Sequence, residues 1–190
     1  MYQALRATSE TLKRFLDQQA AARGLPSPTV KLATPTDLDQ GDTSGMSLWL
    51  YRVVRDEHRY NDGPLRADPL HLRRAPLPVR LHYLITPIGL TAEIEQELLG
   101  MVLQSFHDHP VLLGTDLGGG FAGTDVELTV RLEQLSLEEI TRAWEALASP
   151  YQLSLSYEVS VVFIESRVNE LGPPVTVVLA DAELIVGAGS

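Results

Sequence analysis

Five histidines, at positions 58, 71, 82, 107 and 109, are the side chains of this 190-residue sequence best suited to metal or proton chemistry. Only His107 and His109 stand close together, with one residue between them. A metal-binding pair on a helix needs i, i+4 spacing so that both imidazoles leave one face, and the sequence has no HExxH or Cys/His cluster. Just before Pro110, the two histidines suit a helix C-terminus, where partial positive charge is favourable. Asp37, Asp39 and Asp42 around Gly41 bear a superficial likeness to a calcium loop. The twelfth residue counted from Asp37 is Leu48 and not glutamate, so a plain turn is expected. Gly118, Gly120 and Gly123 meet the GxGxxG spacing. A dinucleotide fingerprint needs a strand before it and a helix after it, whereas here a helix precedes and a strand follows. That segment is expected to be a flexible loop. Carboxylates such as Glu158 and Glu165 have no evident partner, and there is no GxSxG, Walker A or Ser/His/Asp pattern. The expectation is therefore a chain that is not an enzyme, with no catalytic residues, no cofactor and no metal.

The elements that would position any such residues are clearer. Residues 76–110 form the organising stretch. Pro76 and Pro78 mark where a strand begins. Val79, Leu81, Tyr83 and Ile85 then alternate with Arg80, His82, Leu84 and Thr86, the period of a strand with one buried face. Pro87 and Gly89 stop it. Thr91 can cap a helix that carries Glu93 and Glu95 at its positive end and Ile94, Leu98, Met101, Val102 and Phe106 on one face.

Upstream, residues 2–22 read as an amphipathic helix with Leu5, Leu12, Phe15 and Leu16 on its apolar face, ended by Gly24 and Pro26. A short strand is expected over 29–33 and another over 46–54, with Leu48, Leu50 and Arg52 on one face and Trp49, Tyr51 and Val53 on the other. Residues 55–75 would form a loop of about twenty residues, long for a compact domain unless it binds something. Downstream, Val126, Leu128, Val130 and Leu132 alternate as a strand. Ser136 and Glu139 form a capping box that starts a helix with Leu137, Ile140, Trp144 and Leu147 facing the core. A strand over 152–164 would place Leu153, Leu155, Tyr157, Val159, Val161 and Phe163 on one face. Gly172-Pro173-Pro174 breaks the chain before two β-prone runs, 175–179 and 183–186.

Composition narrows the class. A chain of this length is most simply one domain, and 44% hydrophobic residues is ordinary for a globular protein. No apolar run approaches the ~18 residues of a membrane span, and the first residues lack a signal peptide's apolar core. The absence of cysteine removes disulfide and thiolate chemistry and fits cytoplasmic synthesis. A net charge of −10 argues against sequence-independent nucleic-acid binding. Seven arginines nevertheless lie between positions 52 and 80, among them Arg59, Arg66, Arg73 and Arg74. They are candidate assembly contacts, since arginine makes bidentate pairs with carboxylates of a neighbour, or else they belong to a solvated loop.

PLPVRLHYLITPIG, with ELLGMVLQSFHDHPVL and LSLEEITRAWEALASPYQLSLSYEVSVV, resembles the tail-terminator (cap) proteins of phage-tail-like contractile injection systems. The resemblance runs from about residue 5 to residue 165. It implies a structural protein that forms a ring, of six copies, on the end of the tube and sheath, ends polymerisation and holds the sheath extended. Its partners would be copies of itself and the tube and sheath proteins, with neither nucleic acid nor membrane. The particle would be assembled in the cytoplasm and then released. The expected fold is α/β (α+β), a mixed and mostly antiparallel sheet of about five strands with two or three helices on one face. It would occupy residues 1–165, followed by a β-prone arm, 166–190, whose Val175, Val177 and Leu179 either join a neighbour's sheet edge or fold back as an edge hairpin. The alternative function is a small-ligand or nucleotide-binding α/β protein using the glycine-rich loop 118–123.

Overall fold

The computed structural model describes residues 2–25, 30–40, 44–57, 65–66, 71–73, 76–164 and 169–171. They divide into two units, residues 1–62 with 76–165, and residues 63–75 with 166–190. The first unit holds helices α1 (Ala4–Ala22), α2 (Pro35–Gln40), α3 (Ala92–Asp108) and α4 (Leu137–Ala146). Its strands are β1 (Val30–Lys31), β2 (Gly45–Arg55), β5 (Leu77–Ile88), β6 (Val111–Leu112), β7 (Leu128–Leu132) and β8 (Leu155–Ile164). The second unit holds β3 (Leu65–Arg66), β4 (His71–Arg73) and β9 (Asn169–Leu171).

The six strands of the first unit form one sheet in the order β1-β2-β5-β8-β7-β6. β1 runs parallel to β2 and every other pairing is antiparallel. The expected mixed, mostly antiparallel α+β architecture is therefore present, with six strands where about five were expected. β5 runs through Pro87, which pairs with Met46, and ends at Gly89, whose φ of 71° is a left-handed conformation that glycine adopts without strain.

α1 and α3 pack over one face of the sheet. Leu12, Phe15 and Leu16 from α1 and Leu98, Met101, Val102 and Phe106 from α3 close on Leu81, Tyr83 and Ile85 of β5. Phe15 stacks on Phe106 with ring centroids 5.5 Å apart. The Tyr83 hydroxyl hydrogen-bonds Ser9 at 2.8 Å inside this core, and burial pushes its pKa well up. The hydroxyl therefore stays a neutral hydrogen-bonding group.

Two alternations fail at β-bulges. On β2 the register shifts between Leu50 and Arg52, so Arg52 lies opposite His82 and Val53 opposite Leu81, the reverse of the expected faces. On β8 it shifts opposite Arg80, between the Val79–Val162 and Leu81–Val159 pairs. Val162 consequently joins Tyr157 and Val159 in the core, while Phe163, expected on that face, is not part of it. One extra residue reverses every side chain beyond it.

Three further expectations are corrected. The aspartate-bearing segment begins as a helix, α2, whose Asp37 amide is capped by Thr34 Oγ1 at 3.1 Å. The Ser136–Glu139 capping box is present, but of the expected stripe only Trp144 is fully buried, with Ile140 and Leu147 half-buried and Leu137 76% exposed. The glycine segment is a packed strap and not a flexible loop. Thr11 Oγ1 accepts from Gly118 N at 3.0 Å, and Arg14 Nη1 donates to Leu117 O at 2.8 Å, which tie the strap to α1. Gly119 has φ 55°, and a Cβ there would run into the Glu10 side chain. Gly119→Ala is expected to destabilise the protein by about 1–2 kcal/mol, from left-handed strain plus that clash. A denaturant-melt midpoint equal to wild type would mean that α1 does not need the strap so close.

Candidate functional site

The second face of β5 carries polar side chains inside the sheet. His82 is 4% exposed and lies opposite Arg52 on β2 and Glu158 on β8. Its Nδ1 is 2.8 Å from Glu133 Oε1. Glu133 directly follows β7 and is held to β8 by its own amide, which donates to Ser156 O at 2.9 Å. Its other oxygen, Oε2, accepts from Ser156 Oγ at 2.7 Å and from Tyr51 OH at 3.4 Å. Tyr51 and Ser156 hydroxyls are 3.1 Å apart, and the Tyr51 ring sits edge-on to His82 at 6.2 Å. Two residues along β5 from His82, Arg80 Nη1 pairs with Glu158 Oε2 at 3.1 Å.

These contacts fix protonation states. Burial alone would raise the pKa of Glu133. Hydrogen bonds from His82 and Ser156, then the His82 charge and the Tyr51 hydroxyl, outweigh burial and hold it below the ordinary carboxylate value. Tyr51 moves the other way, raised chiefly by burial and further by Glu133. At neutral pH the cluster thus contains an ionised Glu133 and a neutral Tyr51, a hydrogen-bonded network with its main acceptor at the centre.

The sequence placed His82 on this face of the strand but gave no partner for it, and Glu158 was expected to stand alone. Glu133 lies 51 residues away from His82 and meets it only because β8 bridges β5 and β7. The two histidines singled out by spacing are not joined to it. His109 is the C-cap of α3, its ring nitrogen 3.3 Å from Ser105 O, and His107 lies in the last turn.

Among the sequence-predicted assembly contacts, Arg66 lies in β3 and Arg73 in β4, where Arg73 pairs with Leu65 and with Asn169. The loop expected over 55–75 thus contains two short strands, in a three-stranded sheet of order β3-β4-β9. Arg59, Arg74, Val175, Val177 and Leu179 lie outside the described residues. On the first unit, an open groove of about 570 Å³ runs along Leu103, Phe106, His107, Val130, Leu132 and Tyr157. Leu103 and Leu132 are exposed on it.

The fold is similar to those of two solved structures. The PVC sheath/tube terminator of an extracellular contractile injection system, in its extended state, matches with a TM-score of 0.61 at 17% identity, over 94% of this chain and 64% of that one. The anti-feeding prophage cap, a tube-terminating cap, matches at 0.57 with 19% identity, over 92% of this chain and 58% of that one. The model of the Pvc16 N-terminal domain family matches residues 7–177, and the chain belongs to that family. No curated protein matches the sequence. The chain spans about three-fifths of the length of the two structural neighbours.

The cluster makes a sharp energetic contrast. Glu133→Leu leaves His82, Ser156 and Tyr51 without their acceptor and is expected to destabilise by about 1–3 kcal/mol, whereas Tyr51→Phe removes a 3.4 Å contact to Glu133 and a 3.1 Å contact to Ser156, which keeps Glu133 as its acceptor, and is expected to lose under about 1 kcal/mol. The folded pKa of Glu133 is depressed, so its contribution is complete above the ordinary value of 4.5 and is lost as pH falls through the folded value. Chemical denaturation between pH 3 and 7 should therefore show a shallower acid limb in Glu133→Leu than in wild type. Identical limbs would remove Glu133 from the acid response.

Proposed function

We propose that this chain is a structural cap, a tail terminator that forms a ring on the end of the tube and sheath of a contractile injection system. The ring ends polymerisation and stabilises the extended sheath. The observation that carries this reading is the family match over residues 7–177, together with a fold shared with a sheath/tube terminator and a tube-terminating cap. The ring holds six copies, and its partners are the tube and sheath proteins, with no nucleic acid or membrane. Two properties of the chain support those exclusions: a net charge of −10 and, among the described residues, no helix long and apolar enough to cross a membrane. The chain is made in the cytoplasm and leaves as part of the particle, acting mechanically and not as an enzyme.

A closed ring of head-to-tail contacts needs two different complementary patches on each subunit. Arg59, Arg66, Arg73 and Arg74 supply one, set against the acidic part of the chain from residue 111 onward, which carries twelve carboxylates against three arginines. Residues 1–165 act as the terminator domain and 166–190 as an assembly arm, with Val175, Val177 and Leu179 entering a neighbour's sheet edge. Within it, β9 pairs with β4.

Deleting the gene is expected to leave tubes and sheaths of irregular length, or sheaths already contracted; particles of normal length and stability would sink the reading. Replacing Arg73 and Arg74 with glutamate is expected to weaken association and flatten its salt dependence while the monomer stays folded. Light scattering after size exclusion reads this directly, and unchanged assembly assigns both arginines to solvent. Truncation after Leu171 is expected to leave a folded protein that enters particles poorly. A large fall in its melting temperature would instead make the tail part of its own domain.

A further inference from the structure

The polar cluster on the second face of the sheet is used neither by the main core nor by the proposed cap role. Its geometry suits something more specific than hydrogen bonding. His82, Glu133 and Glu158 each bring one ligand atom, a ring nitrogen and two carboxylate oxygens, within 4.8 Å of one another. Donors about 2.1 Å from a shared tetrahedral ion sit about 3.5 Å apart, so small side-chain rotations would close the set.

A second observation points the same way. His82 is almost wholly buried, its Nδ1 is engaged by Glu133, and its Nε2 has no hydrogen-bond partner. Among the described residues no donor engages Nε2, so nothing at Nε2 fixes the tautomer that would protonate Nδ1, and Nδ1 is open to a ligand role. The charges are unbalanced as well. Arg80 pairs with Oε2 of Glu158, while among the described residues Glu133 has hydrogen-bond donors but no arginine or lysine ion pair. Arg52 and Arg131, the cross-strand neighbours of His82 and Glu158, have exposed side chains.

We propose that His82, Glu133 and Glu158 form a binding site for one divalent transition-metal ion of the zinc class. Imidazole with carboxylate oxygen is a donor set that zinc accepts, and the chain has no thiolate to compete for the ion. The ion would replace the proton shared by His82 and Glu133, which is released on binding. Glu158 would use Oε1, leaving Arg80 on Oε2, and the Ser156 hydroxyl or a water completes the coordination. Because the ligands come from β5, β8 and the residue after β7, the ion would clasp three strands of the sheet. This inference does not rest on the cap reading.

The test uses the full-length protein stripped with EDTA and dialysed. One equivalent of Co²⁺ is expected to give a visible d–d absorption that Zn²⁺ abolishes. Zn²⁺ in roughly hundredfold excess over its dissociation constant is expected to raise the thermal midpoint by about 5–10 °C. Both effects should disappear in His82→Gln and in Glu158→Gln and persist in the His107→Gln/His109→Gln double variant. Glu158, less buried than His82, keeps the test decisive if His82→Gln does not fold. No absorption and no midpoint shift in wild type would overturn the proposal and leave a proton as the counter-charge. Equal shifts in wild type and Glu158→Gln would overturn it too, by assigning the metal to surface histidines.

Discussion

β5 is buried on both faces, and most of what the first unit does locally follows from that constraint. From Leu81 to Ile88 every residue is buried. One face meets α1 and α3. The other must bury His82 and Thr86 beside Leu84, which is possible only if their polar atoms are matched by neighbours or enclosed at a cost. β2 and β8 therefore flank it along nearly its whole length, from Leu77 to Ile88. The two prolines of β5 fall near its ends, where a missing amide donor is tolerated.

The bulges show how the flanking strands adjust to this central one. Tyr51 stays on the second face beside Trp49, where it reaches Ser156 and Glu133, and the bulge adds Arg52 to that face. Without the bulge, strict alternation would carry the core-facing Leu48–Leu50 register on to Arg52 and place a guanidinium under α1. Beyond Ser160 the second bulge brings Val162 and Ile164 to the core and so keeps the end of β8 apolar on the covered face. Both bulges exchange one unpaired residue for a correct hydrophobic assignment further along.

Much of the first unit was legible in the sequence because the relevant signals are local. The stripe of α1, the alternation of β5, Thr91 before α3 and the capping box before α4 each lie within a few residues of what they specify. What was not legible depends on pairing at a distance. A bulge is invisible to alternation, since it is decided by the partner strand. The apolar stripe of α4 is covered at Trp144 but not at Leu137, because an amphipathic pattern says only that a face is apolar and not how much of it this chain covers. The packed glycine strap looked loose because glycines are common in mobile loops, whereas here Gly118 and Gly119 are required by the close approach of α1. The polar cluster escaped for the same reason as the bulges: Glu133 and His82 are neighbours only through the sheet order.

Stability and assembly draw on different parts of this sequence. The ion pairs along α1 and α4, Arg6–Glu10, Lys13–Asp17 and Arg142–Glu138, are local i, i+4 contacts with partly or fully exposed side chains. Such pairs contribute about 0.3–0.5 kcal/mol each, far less than burial of Phe15, Phe106 or Tyr83. The fold is thus held by its apolar layer, and surface charge can change without unmaking it. A protein proposed to close a ring needs that separation. Its contacts must respond to salt, partner and geometry, while the sheet that presents them stays fixed. The buried polar row fits this division, because Glu133, taking donors from β2, β5 and β8, favours one strand register over its neighbours even where its net stabilisation is small.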